Sequence, residues 1–135
     1  MTVVLDASVA LGWLLPDEPT LQLTLEPSSI LHVPPVFSYE VAHAVQKAVR
    51  RNRLSEEEAG EAFDILRGFP LRVDDAPAPD AESIWSACHA GNVNAYDSAY
   101  LTLAIRRRVP LATADEQLAE AARRIGLVVL SPEQA

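Results

Sequence analysis

Four acids stand where acids are seldom found. Asp6, Glu40, Asp97 and Asp115 close aliphatic runs or lie on the apolar faces of helical patterns, whereas most other acids of the chain fall in polar stretches. Asp6 follows Val3-Val4-Leu5 and precedes Ala7-Ser8-Val9-Ala10-Leu11. Such a run reads as a buried strand that delivers a carboxylate to its carboxyl end just before a helix starts. An unpaired charge beside a sheet core is costly, so Asp6 either caps the helix or has something cationic opposite it. Glu40 comes four residues after Val36, three after Phe37 and four before Ala44, which turns it toward the core side. An ion pair with Lys47, on the same face, is the competing structural reading. Asp97 shares a stripe with Leu101 and Ala104, and Asp115 follows Leu111-Ala112-Thr113, repeating the arrangement at Asp6.

Carboxylates gathered in one place repel one another and raise each other's pKa, so a site made of these four requires bound cations or protons. Oxygen-only ligands favour Mg2+ or Mn2+, whereas zinc looks for His or Cys. His32, His43 and His89 show no paired zinc spacing, so Mg2+ is the expected ion, one or two per site. A hard cation on carboxylates suits hydrolysis of a phosphodiester. Ser8 and Thr113 are placed to support an acid or a metal-bound water, or else to bond the backbone at helix starts. Asn94 and Tyr96 are candidates for substrate contact, with Tyr96 equally suited to packing. Cys88 stands alone and excludes an internal disulfide.

The elements that must position these groups alternate along the chain. Short aliphatic runs predict strands at 2–5, 30–33, 71–73, 110–113 and 127–130, separated by helical patterns. Residues 8–15 predict a helix stopped by Pro16, and Asp17-Glu18-Pro19 opens a second helical stretch through Leu21, Leu23 and Leu25 to Pro27. A longer helix runs from Val36 to about Arg51. Ser55-Glu56-Glu57-Glu58 is a capping box that opens an amphipathic helix. Asp74, Asp75 and Asp80 read as turn and cap residues before a helix with Ile84, Trp85 and Cys88 that closes near Gly91, and Gly126 is placed to cap the last helix. Strands alternating with helices predict an α/β fold with a parallel sheet covered on both faces, and 135 residues make one domain. In such a sheet, sites form at the carboxyl ends of the strands, where Asp6 and Asp115 fall.

Nineteen acids against eleven Lys and Arg give a net charge of -8, which excludes simple coating of nucleic acid but not an enzyme with separate acidic and basic clusters. The apolar runs are too short to span a membrane, and the expectation is a soluble cytoplasmic protein.

Val4-Leu5-Asp6-Ala7-Ser8, Val33-Pro34-Pro35 with Glu40-Val41, Tyr96-Asp97-Ser98-Ala99-Tyr100-Leu101-Thr102-Leu103-Ala104, and Leu111-Ala112-Thr113-Ala114-Asp115 with Leu118 and Ala121 occur in this order. Together they resemble the PIN-domain nucleases and, among them, the VapC-type ribonuclease toxins of toxin-antitoxin pairs. The resemblance spans essentially the whole chain. It implies a PIN-like three-layer α/β/α sandwich and a Mg2+- or Mn2+-dependent endoribonuclease acting on tRNA or rRNA. It also implies a homodimer and a cognate antitoxin whose tail inserts at the acidic site. By motif, Asp6, Glu40, Asp97 and Asp115 take the family's acidic positions, with Asp6, Asp97 and Asp115 on the ion and Glu40 on a second ion or a metal water. Thr113 matches the hydroxyl two residues before the last acid. His43 departs from the pattern, where Asn is common. To hold RNA, Lys47, Arg50, Arg51 and Arg53 crowd the end of the Glu40 helix and Arg106 to Arg108 close the Asp97 helix; phosphate binding and solvated helix ends are both open readings. The rival function is a catalytically silent module that binds RNA or a partner protein. A phosphotransfer receiver is rejected, since no acid pair surrounds a single acceptor Asp.

Overall fold

Val3, Val4 and Leu5 are consecutive in an extended strand, so they point alternately to its two sides, yet all are buried. Both faces of this strand are therefore covered, as in a parallel sheet between helical layers. The computed structural model describes residues 1–132. It holds strands β1 (Thr2–Leu5), β2 (Ile30–Val33), β3 (Leu71–Val73), β4 (Leu111–Ala112) and β5 (Val129–Leu130). Its helices are α1 (Ala7–Leu14), α2 (Val36–Arg50), α3 (Glu56–Arg67), α4 (Ala81–Gly91), α5 (Ala95–Arg107) and α6 (Glu116–Arg124). The strands form one sheet in the order β3-β2-β1-β4-β5, every pair parallel. Leu5 pairs with Ala112, so the strands that precede Asp6 and Asp115 end side by side at the middle of the sheet. The α/β sandwich with a central five-stranded parallel sheet is as expected, although β4 and β5 are each two residues long.

Local chemistry accounts for the elements. Ser55 and Glu58 make the reciprocal bonds of a capping box at the start of α3. Phe37, Val41, Val45 and Ala48 form the buried stripe of α2. Gly126 takes φ 87 after α6, a left-handed conformation that glycine adopts without strain. The helix with Trp85 ends at Gly91, as expected, and its left-handed cap is Asn92 at φ 53. None of the residues of α4 is fully buried: Cys88 packs partly buried against the core, while Trp85 is 62% exposed.

The helical stretch expected between Asp17 and Pro27 is absent; this segment is irregular. Leu21, Leu23 and Leu25 turn inward while Gln22 and Thr24 are exposed, a period of two that belongs to extended chain and not to a helix. Prolines at 16, 19 and 27 divide the segment further. It is pinned by the Trp13 indole, which donates to the Leu21 carbonyl at 2.8 Å. Gly12 lets it approach α1, because a Cβ there would lie 2.1 Å from the Pro19 carbonyl oxygen. Gly12→Ala is expected to cost about 1–3 kcal/mol through this overlap, read as a lower urea midpoint. A loss below about 0.5 kcal/mol would show that the turn yields freely.

Asp80 caps α4 as expected, accepting the Ser83 amide at 2.8 Å. Asp74 is instead an ion-pair partner, taking Arg106 at 2.5 Å and Arg107 at 3.4 Å from the end of α5. Among the described residues, no helix is long and apolar enough to cross a membrane.

Candidate active site

Asp6 leaves β1 at the centre of the sheet and is 4% exposed. It stands at the start of α1, yet its side chain makes no capping bond. The helix-cap reading therefore fails. Its Oδ2 accepts the Ser8 hydroxyl at 2.5 Å and the Thr113 hydroxyl at 2.8 Å. Each hydroxyl is itself held, since Ser8 Oγ accepts the Ala114 amide at 2.9 Å and Thr113 Oγ1 accepts the Asp115 amide at 3.0 Å. Ser8 and Thr113 thus bond the carboxylate and stitch α1 to the turn after β4. Their backbone bonds serve that turn and not the start of α1.

Asp115 has two tasks. One of its oxygens, Oδ1, caps α6 by accepting the Gln117 and Leu118 amides at 2.9 and 3.2 Å. Its charge also reaches the cluster, where it raises the pKa of both Asp6 and Asp97. Asp97 lies in the first turn of α5, which Asn94 caps by accepting the Asp97 amide at 2.8 Å. Asn94 therefore positions Asp97. Tyr96 is 62% exposed, which removes the packing reading for it.

Glu40 does not pair with Lys47. Its Oε1 accepts the Tyr100 hydroxyl at 2.7 Å, across from α5 to α2. Tyr100 is fully buried and was not singled out among the sequence candidates. The signal was available, because a tyrosine on the inner stripe of a helix must find a partner for its hydroxyl. Burial first, then the Asp6 charge and the bond to Glu40, push the Tyr100 phenol far up, so it stays a donor.

The electrostatics follow from four acids in one region. Burial raises the Asp6 carboxyl, against the lowering effect of its two hydroxyl donors, and Asp115 raises it further. Burial likewise raises Glu40, against the Tyr100 bond, with the Asp6 charge adding to it. Asp97 is pushed up to about 6 by burial, then by Asp6, Asp115 and Glu40. None of the four acids has a salt-bridge partner among the described residues. Hydroxyls and backbone amides offset part of their mutual repulsion, but no side-chain cation does, which is the condition for taking up a metal ion.

The donor set suits a hard divalent ion: carboxylate oxygens with two hydroxyls behind them, and no imidazole or thiol. His43 is exposed on α2, His89 stacks on Trp85 at 5.1 Å between ring centres, and His32 is buried within β2, where burial lowers its pKa. Among the described residues, no three His, Cys, Asp or Glu side chains are already drawn together tightly enough to hold a metal ion. The acids are near enough for their charges to act on one another.

Of the basic groups, Lys47, Arg51 and Arg53 line a cavity that also touches Ser8 and Asp115. Arg50 is exposed at the end of α2 and does not line it. Arg106 and Arg107 of the second basic cluster are engaged by Asp74, while Arg108 is exposed and has no salt bridge among the described residues.

The model of the PIN domain family matches residues 3–124. Ribonuclease VapC1 of Mycobacterium tuberculosis is 38% identical over 96 residues, 69% of this chain and 68% of the relative. Ribonuclease VapC9 of the same species is 34% identical over 119 residues, 87% of this chain and 89% of the relative. Ribonuclease VapC3 of Pyrobaculum aerophilum is 33% identical over 124 residues, 89% of this chain and 94% of the relative. The crystal structure of PAE2754 from Pyrobaculum aerophilum superposes with a TM-score of 0.67 at 16% identity, covering 96% of this chain and 90% of the other, a likeness of fold. With its acids at the strand and helix ends where the sequence motifs lie, the chain belongs to the PIN domain family and, within it, to the VapC proteins.

Proposed function

We propose that this chain is a Mg2+-dependent endoribonuclease, with Mn2+ as an alternative ion, and the toxin of a toxin-antitoxin pair. One observation carries the reading: four acids with no cationic partner converge at the carboxyl end of a parallel sheet, each with a neighbour that raises its pKa or whose pKa it raises. Relatives of 33–38% identity named as ribonucleases support the substrate class. Asp6, Asp97 and Asp115 would hold the ion. When bound, Mg2+ lowers the pKa of the attacking water and stabilises charge on the scissile phosphate and the departing oxygen. Ser8 and Thr113 fix the Asp6 carboxylate through one oxygen, Oδ2. Tyr100 holds Glu40 beside the cluster, where its carboxylate would orient a water or help hold a second ion.

The substrate in this reading is tRNA or rRNA, cleavage inhibits translation and growth, and an antitoxin occupies the acidic mouth until released. The family's homodimer has a candidate face in α4, whose Trp85 is left exposed. Purified protein incubated with tRNAs and rRNA fragments is expected to cut them with Mg2+ or Mn2+ and to stop when EDTA removes the ion. Cleavage that persists in EDTA would refute the metal assignment. RNA binding without cleavage under any ion would favour the silent module instead.

A further inference from the structure

A cavity of about 490 Å3 opens between α1, the irregular segment that follows it, and α2. Ser8 and Asp115 are part of its lining, so it borders the carboxylate cluster at one of the four acids. Leu11, Leu15 and Ala48 give it an apolar floor. Its volume lies in the range of sites for one small organic ligand, about 300–1,000 Å3. A base held in a duplex cannot enter such a space, and only an unpaired nucleotide turned out of a helix reaches the floor.

The charges in the wall are of two kinds. Arg53 is held in place, donating to the Pro16 carbonyl at 2.8 Å and lying 3.5 Å from Glu18. It anchors the segment that forms one side. Lys47, in the last turn of α2, and Arg51, which caps that helix, continue the spacing of Glu40 and Ala44, and neither has a salt-bridge partner among the described residues. On a chain of net charge -8, two free cations beside an acidic cluster are a localised attraction for a phosphate.

We propose that this cavity is a subsite for one unpaired nucleotide next to the scissile phosphate, its base or ribose against the apolar floor and its phosphate against Lys47 and Arg51. The proposal rests on the ribonuclease reading and adds the place where a nucleotide beside the cut is held and the two cations that meet its phosphate. It also separates Lys47 and Arg51 from Arg50, which lies on the same helix outside the cavity.

The test uses the full chain with Lys47→Ala, Arg51→Ala, the double variant and Arg50→Ala, on a short unpaired oligoribonucleotide and on the same sequence in a duplex. Each cavity substitution is expected to raise KM by about 10-fold, and the double variant to lose one to two units of salt slope, with Arg50→Ala unchanged. The duplex is expected to be cut poorly by the parent. An unchanged KM in the double variant, or equal cutting of duplex and unpaired RNA, would overturn the subsite while leaving metal-dependent cleavage intact. Should no RNA be cut at all, NMR titration with 5′-AMP still reports on the cavity: shifts lost in the double variant support it, and no shifts in the parent overturn it. Normal RNA binding by the double variant together with loss of a protein partner would make the cavity a peptide site and also overturn the proposal.

Discussion

Asp6→Asn is expected to lower Mg2+-dependent RNA cleavage by about 10²–10³-fold and, at the same time, to make the metal-free protein more stable. The two effects have one cause. Both hydroxyls that hold Asp6 donate to Oδ2, so the amide oxygen of an Asn retains Ser8 and Thr113 while the charge is lost. Removing the charge deprives an ion of its most deeply buried ligand. It also relieves repulsion at Asp97 and Glu40, both of which the Asp6 charge pushes up, and removes the repulsion between Asp6 and Asp115. The gain in the metal-free state is about 1–2 kcal/mol, or a few degrees in Tm. Cleavage at the parent rate would refute the role of Asp6. A lower Tm would show instead that the charge is compensated by something other than an ion.

The second large effect is the pH dependence of stability without metal. Asp97 titrates near 6 in the folded chain against about 4 unfolded, burial being the first cause and the other acids the next. Between these values the folded protein binds more protons than the unfolded one, so stability falls as pH rises through the window from about 4 to about 6 and levels off above it. The full shift corresponds to about 3 kcal/mol; since Asp97 is only half-buried, screening reduces this to about 1–2 kcal/mol. Urea unfolding of the metal-free parent and of Asp97→Asn, from pH 4 to pH 7.5, isolates the contribution as the difference between the two curves. The difference is expected to favour the variant at high pH and to vanish toward pH 4. Saturating Mg2+ is expected to stabilise the parent more at pH 7 than at pH 5, because the ion and the proton compete for the same carboxylates. A difference curve that is flat, or that favours the parent at high pH, would mean that Asp97 is not held in this cluster.

The strand at 30–33 was legible because a parallel strand buried on both faces appears as a short aliphatic run; 71–73 is also a strand as read, although it lies at the sheet edge with Arg72 and Val73 exposed. The acids were legible because a helix face or strand end that is otherwise apolar exposes a misplaced charge, which identified Glu40 and Asp97 without any contact being known. The segment from Asp17 to Pro27 was not, since leucines at 21, 23 and 25 between prolines suit a frayed helix and an extended strap alike until something packs against them. Arg106 to Arg108 looked like free charge, and Asp74 like a turn residue, because they are 32 or more residues apart and only the crossing of α5 and the end of β3 brings Arg106 and Arg107 to Asp74.

By itself the sequence determined the alternation of elements, the parallel sheet, and which four acids stand at strand ends or on otherwise apolar helix faces. Those properties depend on the period of apolar residues and on the cost of a charge near a core, both of which are local. The tertiary structure decided partners: Tyr100 for Glu40, Ser8 and Thr113 for Asp6, the cavity for Lys47 and Arg51 but not for Arg50. Hydrogen bonds, ion pairs and pKa shifts act through space over a few ångströms, and in a parallel sheet the groups that meet over such distances are separated by whole crossovers of chain.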